Sequence, residues 1–296
     1  MRYLYPSASL GALCGLFGLT RQAYYEFIKR SMRNKLRDEQ VLLMIRSLRE
    51  VHPRMGTRKM YELLSPEMKE KGVHIGRDRL FILLSDNQLL VRKRKKKIRT
   101  TNSYHHYYKY TNLIKDFTPY KRDQVWVSDI TYVKTGNDFC YLFLITDAYS
   151  RKIVGYEVSR DLGTNNAIKA LKMAIRIGVN LKGLIHHSDR GVQYCSHSYV
   201  KLCQDQGIRL SMGEAGNPLE NAIAERVNGI IKDEYLMPGQ IDSYAALVNK
   251  VDQAVYRYNH LRPHMSCNMM TPNKAHYQQG PLQRKWKNYY QLSNLY

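Results

Sequence analysis

The sequence predicts an α/β fold in which a mixed five-stranded sheet with flanking helices is preceded by small all-α modules. The first observation is a change of periodicity, since apolar residues recur at helical spacing up to about residue 90 and strand-like runs begin at Gln124. The second is that three runs rich in β-branched and aromatic residues follow one another there, with turn residues between them. The third is that helical and strand-like segments then alternate, which predicts helices on the faces of a mixed sheet.

The core elements follow in a defined order along the chain. The three consecutive strands are predicted at residues 125–133, 139–146 and 152–158. The alternating elements after them are a helix at 164–177, a strand at 183–187, a helix at 198–206, a strand at 208–212 and a helix from 218. This is the order of a ribonuclease-H-like fold, and we expect the core to occupy residues 120–236. Residues 237–296 are expected to form a C-terminal helical segment and a basic tail.

Two small helical modules are predicted before the core. In residues 1–35, Gly18 makes a turn and Thr20 caps a second helix at 21–30, which is the helix-turn-helix pattern. Residues 36–91 are expected to form a second helical DNA-binding module, whose first helix breaks at Pro53 and whose next helix ends before Pro66. The side chains that we expect at DNA are Arg21, Gln22, Arg77 and Arg79.

A basic and aromatic linker at residues 92–119 connects these modules to the core. Its densest positive charges are Arg92, Lys93, Arg94, Lys95, Lys96 and Lys97. Like charges at this density cannot pack against one another, so a solvated tether is the simplest interpretation. Lysine and arginine also release counterions from phosphates, and tyrosines and histidines follow at 104–110, so we expect the linker to track DNA.

The strongly positive charge of the chain indicates a polyanionic partner. The net charge is +22 and the sequence pI is about 9.7, a surplus that repels itself unless a partner such as nucleic acid compensates it. An anionic membrane surface is the weaker alternative, because no segment pairs a basic face with a strongly apolar one. The sequence has neither an apolar run of membrane-span length nor a signal-peptide pattern, which predicts a cytoplasmic protein that associates with the nucleoid when it binds DNA.

Three carboxylates are candidates for metal-dependent phosphodiester chemistry. Asp129 lies within an apolar strand run, where an unpaired acid is costly and a bound metal ion would offset the cost; a salt-bridged or strand-edge aspartate is the alternative. Asp189 ends the fourth strand, where catalytic groups of α/β sheets collect, although its neighbours suit an Asx turn equally well. Glu225 lies on the last core helix, and 35 residues separate it from Asp189.

Helix geometry favours Glu225 over Glu220 as the third acid. Asn217 at the N-cap and Glu220 three residues later resemble a capping box, so Glu220 already has a structural role. The apolar residues at helical spacing are Ile223, Val227, Ile230 and Ile231. Glu225 projects from the other side, for which a solvated helix face is the alternative interpretation. If the site interpretation holds, Asn221 and Lys232 are expected to contact phosphate or substrate.

Several blocks of the sequence resemble one known family. Residues 126–132, 187–191 and 221–226, with their 35-residue spacing, resemble the three catalytic blocks of OrfB-type DDE transposases from bacterial insertion sequences of family three, cousins of retroviral integrases. Residues 149–155, 258–264 and 271–272 resemble further blocks of that family in the same order. The loop at 213–220 departs from the pattern, because it lacks the basic and tryptophan residues common among relatives.

The resemblance implies a DNA transposase, an integrase-type recombinase in which Asp129, Asp189 and Glu225 are the catalytic residues and metal ligands. Two magnesium ions, or manganese in their place, are the implied cofactors. The implied reaction binds the terminal inverted repeats and target DNA as double strands, cleaves a strand with water and transfers the freed 3′ hydroxyl. A homo-oligomer on paired ends is implied as well. Relatives often have a separate upstream helix-turn-helix partner, so the chain acts either alone or as the downstream half of a fusion.

Two other functions are consistent with the same residues. The first is a ribonuclease-H-like nuclease that hydrolyses nucleic acid without joining it. The second, from a different class, is a catalytically inactive DNA-binding regulator. Strand-transfer products distinguish the transposase from the nuclease, and metal-dependent cleavage distinguishes either enzyme from the regulator.

Overall fold

The computed structural model describes residues 7–91, 106–136, 138–178, 181–213, 221–237 and 239–285. The chain forms two compact units, of which the first comprises Met1–Glu50 and Met60–Leu90 and the second Val51–Lys59 and Val91–Tyr296. The predicted basic run at 92–97 and the predicted capping box at 217–220 lie outside the described residues. Within the described ranges, no helix combines the length and the apolar character needed to cross a bilayer.

The N-terminal part of the chain is helical, as predicted. Its helices are α1 (Leu10–Gly15), α2 (Arg21–Val51), α3 (Thr57–Glu70) and α4 (Arg77–Asp86). Thr20 caps α2, since its hydroxyl accepts a hydrogen bond from the amide of Ala23 at 3.1 Å. However, α2 is far longer than the predicted helix at 21–30, because residues 31–51 contain neither glycine nor proline to end it.

The expectation that the helix starting at residue 57 ends before Pro66 is wrong. A proline removes one helical hydrogen bond and usually breaks a helix. Here α3 continues through Pro66 to Glu70. The hydroxyl of Ser65 donates to the carbonyl of Tyr61, four residues earlier, at 2.6 Å. The carbonyl that loses its amide donor to Pro66 is that of Glu62, so the helix continues through the proline with one backbone hydrogen bond fewer.

The second unit is built on the predicted mixed five-stranded sheet, which the structure confirms. The strands are β1 (Val125–Thr135), β2 (Asp138–Asp147), β3 (Ile153–Ser159), β4 (Ile185–Ser188) and β5 (Arg209–Met212). Their order across the sheet is β3-β2-β1-β4-β5. The first three pair antiparallel as a meander, whereas β4 runs parallel to β1 and β5 parallel to β4. The central strand β1 therefore has a parallel neighbour on one side only.

Helices cover both faces of this sheet. They are α5 (Thr164–Ile177), α6 (Val192–Cys195), α7 (His197–Asp205), α8 (Ala222–Ile230), α9 (Tyr244–His260) and α10 (Pro272–His276). On one face the buried Trp126 packs in a cluster with Leu171 of α5 and Tyr199 of α7. On the other face Leu142 packs in a cluster with Val227 of α8 and Val251 of α9. Burial on both faces explains why the central strands are nearly continuous apolar runs.

The last core helix is described from Ala222, with Asn221 at its N-cap, and its predicted start at residue 218 lies outside the described residues. At its other end it continues as a π-helix over Ile231–Leu236. A π-helical turn has one more residue per hydrogen-bonded ring than an α-helical turn, and such turns are frequent beside functional sites.

Candidate active site

The parallel pairing of β1 with β4 places two of the predicted acids side by side. Val125 pairs with Ile185 and Val127 with His187, so partners in this register are 60 positions apart in the sequence. Asp129 and Asp189 have the same offset and lie two residues beyond the last recorded pair. The strands thus bring the second acid, in the loop after β4, next to the first acid within β1.

Asp129 is held in the middle of β1 by two hydrogen bonds. Its Oδ1 accepts from the amide of Ile130 at 2.9 Å, and its Oδ2 accepts from the side-chain amide of Asn228 at 2.8 Å. Burial raises the pKa of Asp129 to about 7; the charges of Asp189 and Glu225 also raise the pKa, while the two hydrogen bonds lower it. The other two predicted acids therefore both influence the carboxylate of Asp129.

Asp189 forms the Asx turn that its local sequence suggested, and it also lies beside the first acid. Its Oδ1 accepts a hydrogen bond from the amide of Gly191 at 3.1 Å. Asp189 lines a cavity of about 620 Å³ together with Asp129. Tyr132 and Phe139 are among the aromatic residues of the same cavity. The turn and a position at the cavity are thus compatible, and the role of Asp189 as a metal ligand stays a prediction.

Helix α8 is joined to β1 by polar side chains at several points along its length. The amide nitrogen of Asn221 donates to the carbonyl of Ser128 at 2.8 Å. Asn228 donates to Asp129, and the ammonium of Lys232, on the π-helix, donates to the carbonyl of Tyr132. The same ammonium lies 4.4 Å from the centroid of the Tyr132 ring. These bonds set the position of α8, and with it Glu225, along the strand that carries the first acid.

Glu225 is exposed on the first turn of α8 and does not line the cavity formed by the other two acids. Its charge nevertheless raises the pKa of Asp129. In the part of the chain that the structure describes, no three His, Cys, Asp or Glu side chains are grouped closely enough to hold a metal ion. The structure thus brings two acids together and places the third within electrostatic range of the first.

The chemistry of this donor set fits a hard divalent cation. All three acids offer carboxylate oxygens, the ligands that magnesium prefers. An aspartate with a pKa near 7 beside two further acids is a cluster of negative charge that a cation would stabilise. The fit therefore rests on ligand type and on the repulsion between the acids.

The other residues predicted to contact DNA differ in whether they already have a partner within the protein. In the first unit, Arg21 begins α2 on its exposed side, and Gln22 donates to Glu26 at 3.1 Å. Arg77 pairs with Asp78 at 3.0 Å and Arg79 with Asp38 at 2.6 Å. The six basic residues at 92–97 lie outside the described residues. Both arginines on α4 therefore already have carboxylate partners.

Asn221 joins the start of α8 to β1, and its expected contact with phosphate stays a prediction. The residue is 7% exposed, and one N–H of its side-chain amide donates to the carbonyl of Ser128. The same nitrogen carries a second N–H. Its Oδ1 is an acceptor that has no hydrogen-bond partner among the described residues.

Sequence reasoning gave too little weight to Asn228. It is 4% exposed and is the side chain that bonds directly to Asp129. The signal was its place three residues after Glu225, on the same side of the helix. An amide at that position was interpreted as part of a polar face, whereas it is buried against the acid of β1.

Comparisons with known proteins identify the family. Two family models, each described as an integrase core domain, match residues 119–218 and 206–272. The uncharacterized 31 kDa protein of insertion element IS600 from Shigella sonnei is 32% identical over 88% of this chain and 96% of that protein. Transposase InsF of insertion sequence IS3A from Escherichia coli strain K12 is 30% identical over 55% of this chain. The chain spans 57% of the length of InsF.

A solved structure is similar over the core. The catalytic core domain of HTLV-2 integrase, in complex with magnesium, is 21% identical with a TM-score of 0.43, over 53% of this chain and 98% of that chain.

The sheet order agrees with the fold predicted from the sequence, and the family models agree with the family that the sequence motifs resemble. The meander followed by two parallel strands is the predicted ribonuclease-H-like arrangement, which is confirmed. The first family model spans Asp129 and Asp189, and the second spans Glu225. With a relative that matches almost from end to end, the chain belongs to the integrase-core family of insertion-sequence DNA transposases, the family that its motifs resemble.

Proposed function

We propose that this transposase cleaves DNA at the ends of its insertion sequence and joins the freed 3′ ends to target DNA, with Asp129, Asp189 and Glu225 as its catalytic acids. The observation that carries the proposal is the register of β1 and β4, which brings Asp189 beside Asp129 at one cavity. Burial raises the pKa of Asp129 to about 7, and the charges of Asp189 and Glu225 add to the rise. Acids in such surroundings are costly to keep charged unless cations bind them. Phosphodiester transfer uses such cations. The unfavourable energy of the charged acids without cations is therefore consistent with a site that binds cations during the reaction.

Two divalent ions, magnesium or manganese, are the cofactors of this proposal. Asp129, Asp189 and Glu225 would hold them, and the ions would stabilise charge on the attacking and leaving oxygens of the phosphodiester. The approach of Glu225 to the other two acids is part of the proposal. It would accompany the binding of DNA.

Hydrogen-bond donors around Asp129 and Asp189 favour the charged forms of these acids and orient them. Asn228 and the amide of Ile130 each donate to one oxygen of Asp129, and the amide of Gly191 donates to Asp189. A hydrogen bond donated to a carboxylate stabilises its charged form. The charged form is the one that binds a cation, so these donors favour the active state of the site.

The DNA partners follow from the positive surfaces and from the family. We assign the terminal inverted repeats to the helical modules at 1–35 and 36–91, where Arg21, Gln22, Arg77 and Arg79 contact the duplex. The linker at 92–119 tracks DNA towards the core at 120–236, and the segment 237–296 supports the core. We also assign to Lys232 a contact with a phosphate near Asp129, in addition to the hydrogen bond that its ammonium donates to Tyr132. Copies of the chain pair two ends as a homo-oligomer, either alone or as part of a fusion with an upstream partner.

The test uses the full chain and a DNA duplex that carries the inverted repeats flanking its coding region. Asp129→Asn, Asp189→Asn and Glu225→Gln should each lower magnesium-dependent cleavage at least about a hundredfold, because each removes a charged metal ligand. DNA affinity, measured without metal, should remain within about twofold of the wild type. Asp205→Asn, at the exposed end of α7, is the matched control and should cleave normally.

Each alternative function gives a different result. Cleavage without joined products would indicate a nuclease. DNA binding without any metal-dependent cleavage by the wild-type chain would indicate a regulator. If Glu225→Gln cleaves normally and Glu220→Gln does not, the third acid is Glu220.

A further inference from the structure

A second cavity lies at the opposite end of the sheet from the catalytic acids. Its volume is about 480 Å³, and the basic residues that line it are Lys121, Arg122, Lys182 and Arg209. Asp123 is the one acid among its described lining residues. One oxygen of that carboxylate accepts a hydrogen bond from the indole of Trp126 at 3.1 Å. The cavity therefore has a surplus of positive charge.

The strand directions separate this cavity from the active site. Lys182 precedes β4 and Arg209 is the first residue of β5, whereas Asp189 follows the last residue of β4. Four residues of a parallel strand span roughly 13 Å. The cavity is thus a separate surface of the second unit, too far from Asp129 to contact the same phosphate.

Hydrogen bonds give the cavity a defined shape. The side-chain oxygen of Gln124 accepts from the amides of Tyr120 and Lys121, at 2.9 and 3.1 Å. The carbonyl of Tyr120 accepts from the amide of Gly280 at 2.9 Å, which joins the loop before β1 to the segment after α10. The backbone that presents Lys121 and Arg122 is therefore fixed before any ligand binds.

An exposed aromatic ring stands at the cavity near two cations. Tyr277 is 65% exposed; the guanidinium of Arg122 lies 5.1 Å and the ammonium of Lys152 5.6 Å from its ring centroid. Burial lowers the pKa of Lys152, and the charge of Arg122 lowers it further. The neighbouring His276 is buried, with its Nδ1 3.0 Å from the hydroxyl of Ser150. The Tyr277 ring thus projects from the C-terminal end of α10, beside the positive charges of Arg122 and Lys152.

We propose that this cavity binds a single-stranded segment of DNA, whose base stacks on Tyr277 and whose phosphates contact Lys121, Arg122 and Arg209. Cations lining a groove bind the phosphates of a strand, and an exposed aromatic ring stacks on a base of any sequence. A base inside a duplex has both faces covered by the neighbouring base pairs and cannot stack on the ring, so the ligand is a single strand. This inference adds a second DNA-binding site to the proposed function. It rests on that proposed function only in taking DNA as the partner.

Binding is tested with the full chain in EDTA, so that the result does not depend on cleavage. The probe is a fluorescent single strand of about 12 nucleotides, with a duplex of the same length in a second arm. Tyr277→Ala should weaken single-strand binding about tenfold, since one stacked base is lost, and should change duplex binding less than twofold. Tyr277→Phe should bind as the wild type does. Arg122→Ala combined with Arg209→Ala should reduce the slope of log affinity against log salt by about 1.4.

Matched controls account for the positive charge elsewhere on the chain. Tyr256→Ala removes a ring that is 59% exposed on α9, and Lys201→Ala removes an exposed charge on α7. Neither variant should change single-strand affinity by more than about twofold. A single strand with a photoreactive halogenated pyrimidine should crosslink to Tyr277 on irradiation.

The proposal is overturned if Tyr277→Ala binds the single strand as tightly as Tyr256→Ala does, or if single strand and duplex lose affinity equally. Inorganic phosphate that displaces the probe completely at millimolar concentration would also overturn it, because the cavity would then be a simple anion site. Asp129→Asn should retain the wild-type single-strand affinity. Loss of cleavage together with normal single-strand binding would therefore concern the catalytic proposal alone.

Discussion

Asn228 of α8 donates a hydrogen bond to Asp129 of β1 at 2.8 Å, which connects the helix of the third acid to the strand of the first. The side-chain nitrogen of Asn228 makes this bond. The side-chain oxygen of Asn228 is buried and has no hydrogen-bond partner among the described residues. One oxygen of Asp129 is thereby oriented towards the helix. Metal ligands depend on such outer contacts for their orientation.

Asn228→Ala should raise the magnesium concentration that gives half-maximal cleavage by about 10- to 100-fold, because the orienting donor is lost. The measurement is a magnesium titration of the cleavage rate, repeated with manganese. Asn165→Ala, at an exposed position on α5, is the matched control and should titrate as the wild type does. An unchanged titration for Asn228→Ala, in a variant that unfolds normally, would show that the hydrogen bond does not serve the metal site.

Gly155 of β3 lies where the strand contacts α5 most closely. A Cβ at this position would overlap the carbonyl oxygen of Ala170 and lie 3.0 Å from the Cβ of Ala174. Gly155→Ala should therefore lower the free energy of unfolding by about 1–3 kcal/mol, because the helix has to move away from the sheet. Urea unfolding measures the change. Gly229→Ala on α8, where a Cβ meets nothing within 4 Å, should raise the free energy slightly, by about 0.5–1 kcal/mol.

The sheet could be predicted because it depends on local composition, and the same composition singled out Asp129 as a candidate. The strands are dense in β-branched and aromatic residues, and Asp129 is conspicuous in such a run. The sequence could not show that β1 pairs with β4 at an offset of 60 positions. That register arises from packing between distant segments, and it is what brings Asp189 to Asp129.

The length of α2 and the surroundings of Asn221 and Asn228 were missed for related reasons. Periodicity distinguishes an apolar face from a polar one, but it does not show what packs against the polar face. Here both asparagines on that face are buried against β1, where they satisfy a carbonyl and a carboxylate. For α2 the sequence predicted a helix at 21–30 and a separate helix in the next module, whereas neither glycine nor proline interrupts the chain between Arg30 and Val51.

Arg21 and Arg79 were both predicted to contact DNA, and the structure distinguishes them. Arg79 pairs with Asp38 at 2.6 Å, whereas Arg21 has no ion pair among the described residues. Arg21→Ala should reduce the slope of log affinity against log salt by about 0.9, since one phosphate contact is lost. Arg79→Ala should reduce it less, because Asp38 already neutralises part of its charge. Fluorescence anisotropy with element-end duplex measures both slopes, and equal slopes would contradict the distinction.

The π-helix after α8 is joined to the C-terminal segment by a buried ion pair. Arg262 is fully buried and donates two hydrogen bonds of 2.7 Å to Glu234. Next to Glu234, the hydroxyl of Tyr235 lies 2.8 Å from Nδ1 of His52. Burial acts to raise the pKa of Glu234, but the guanidinium of Arg262 and the charge of Lys59 outweigh it, so the pKa is lowered.

A lowered pKa makes Glu234 a source of stability that acid removes. The charged pair stabilises the fold at pH values above the ordinary pKa of 4.5, and the contribution is lost as the pH falls through the lowered value. Glu234→Gln should therefore flatten the dependence of the unfolding free energy on pH below 4.5. Arg262→Met should lower the free energy of unfolding by about 3–5 kcal/mol at neutral pH, because it leaves Glu234 buried without its partner. Urea unfolding followed by the fluorescence of the buried Trp126 measures both effects.

Two outcomes would contradict this role of the ion pair. An unchanged pH dependence in Glu234→Gln would mean that other carboxylates cause the sensitivity to acid. A small loss of stability in Arg262→Met would mean that the neighbouring Lys59 compensates the charge of Glu234 on its own.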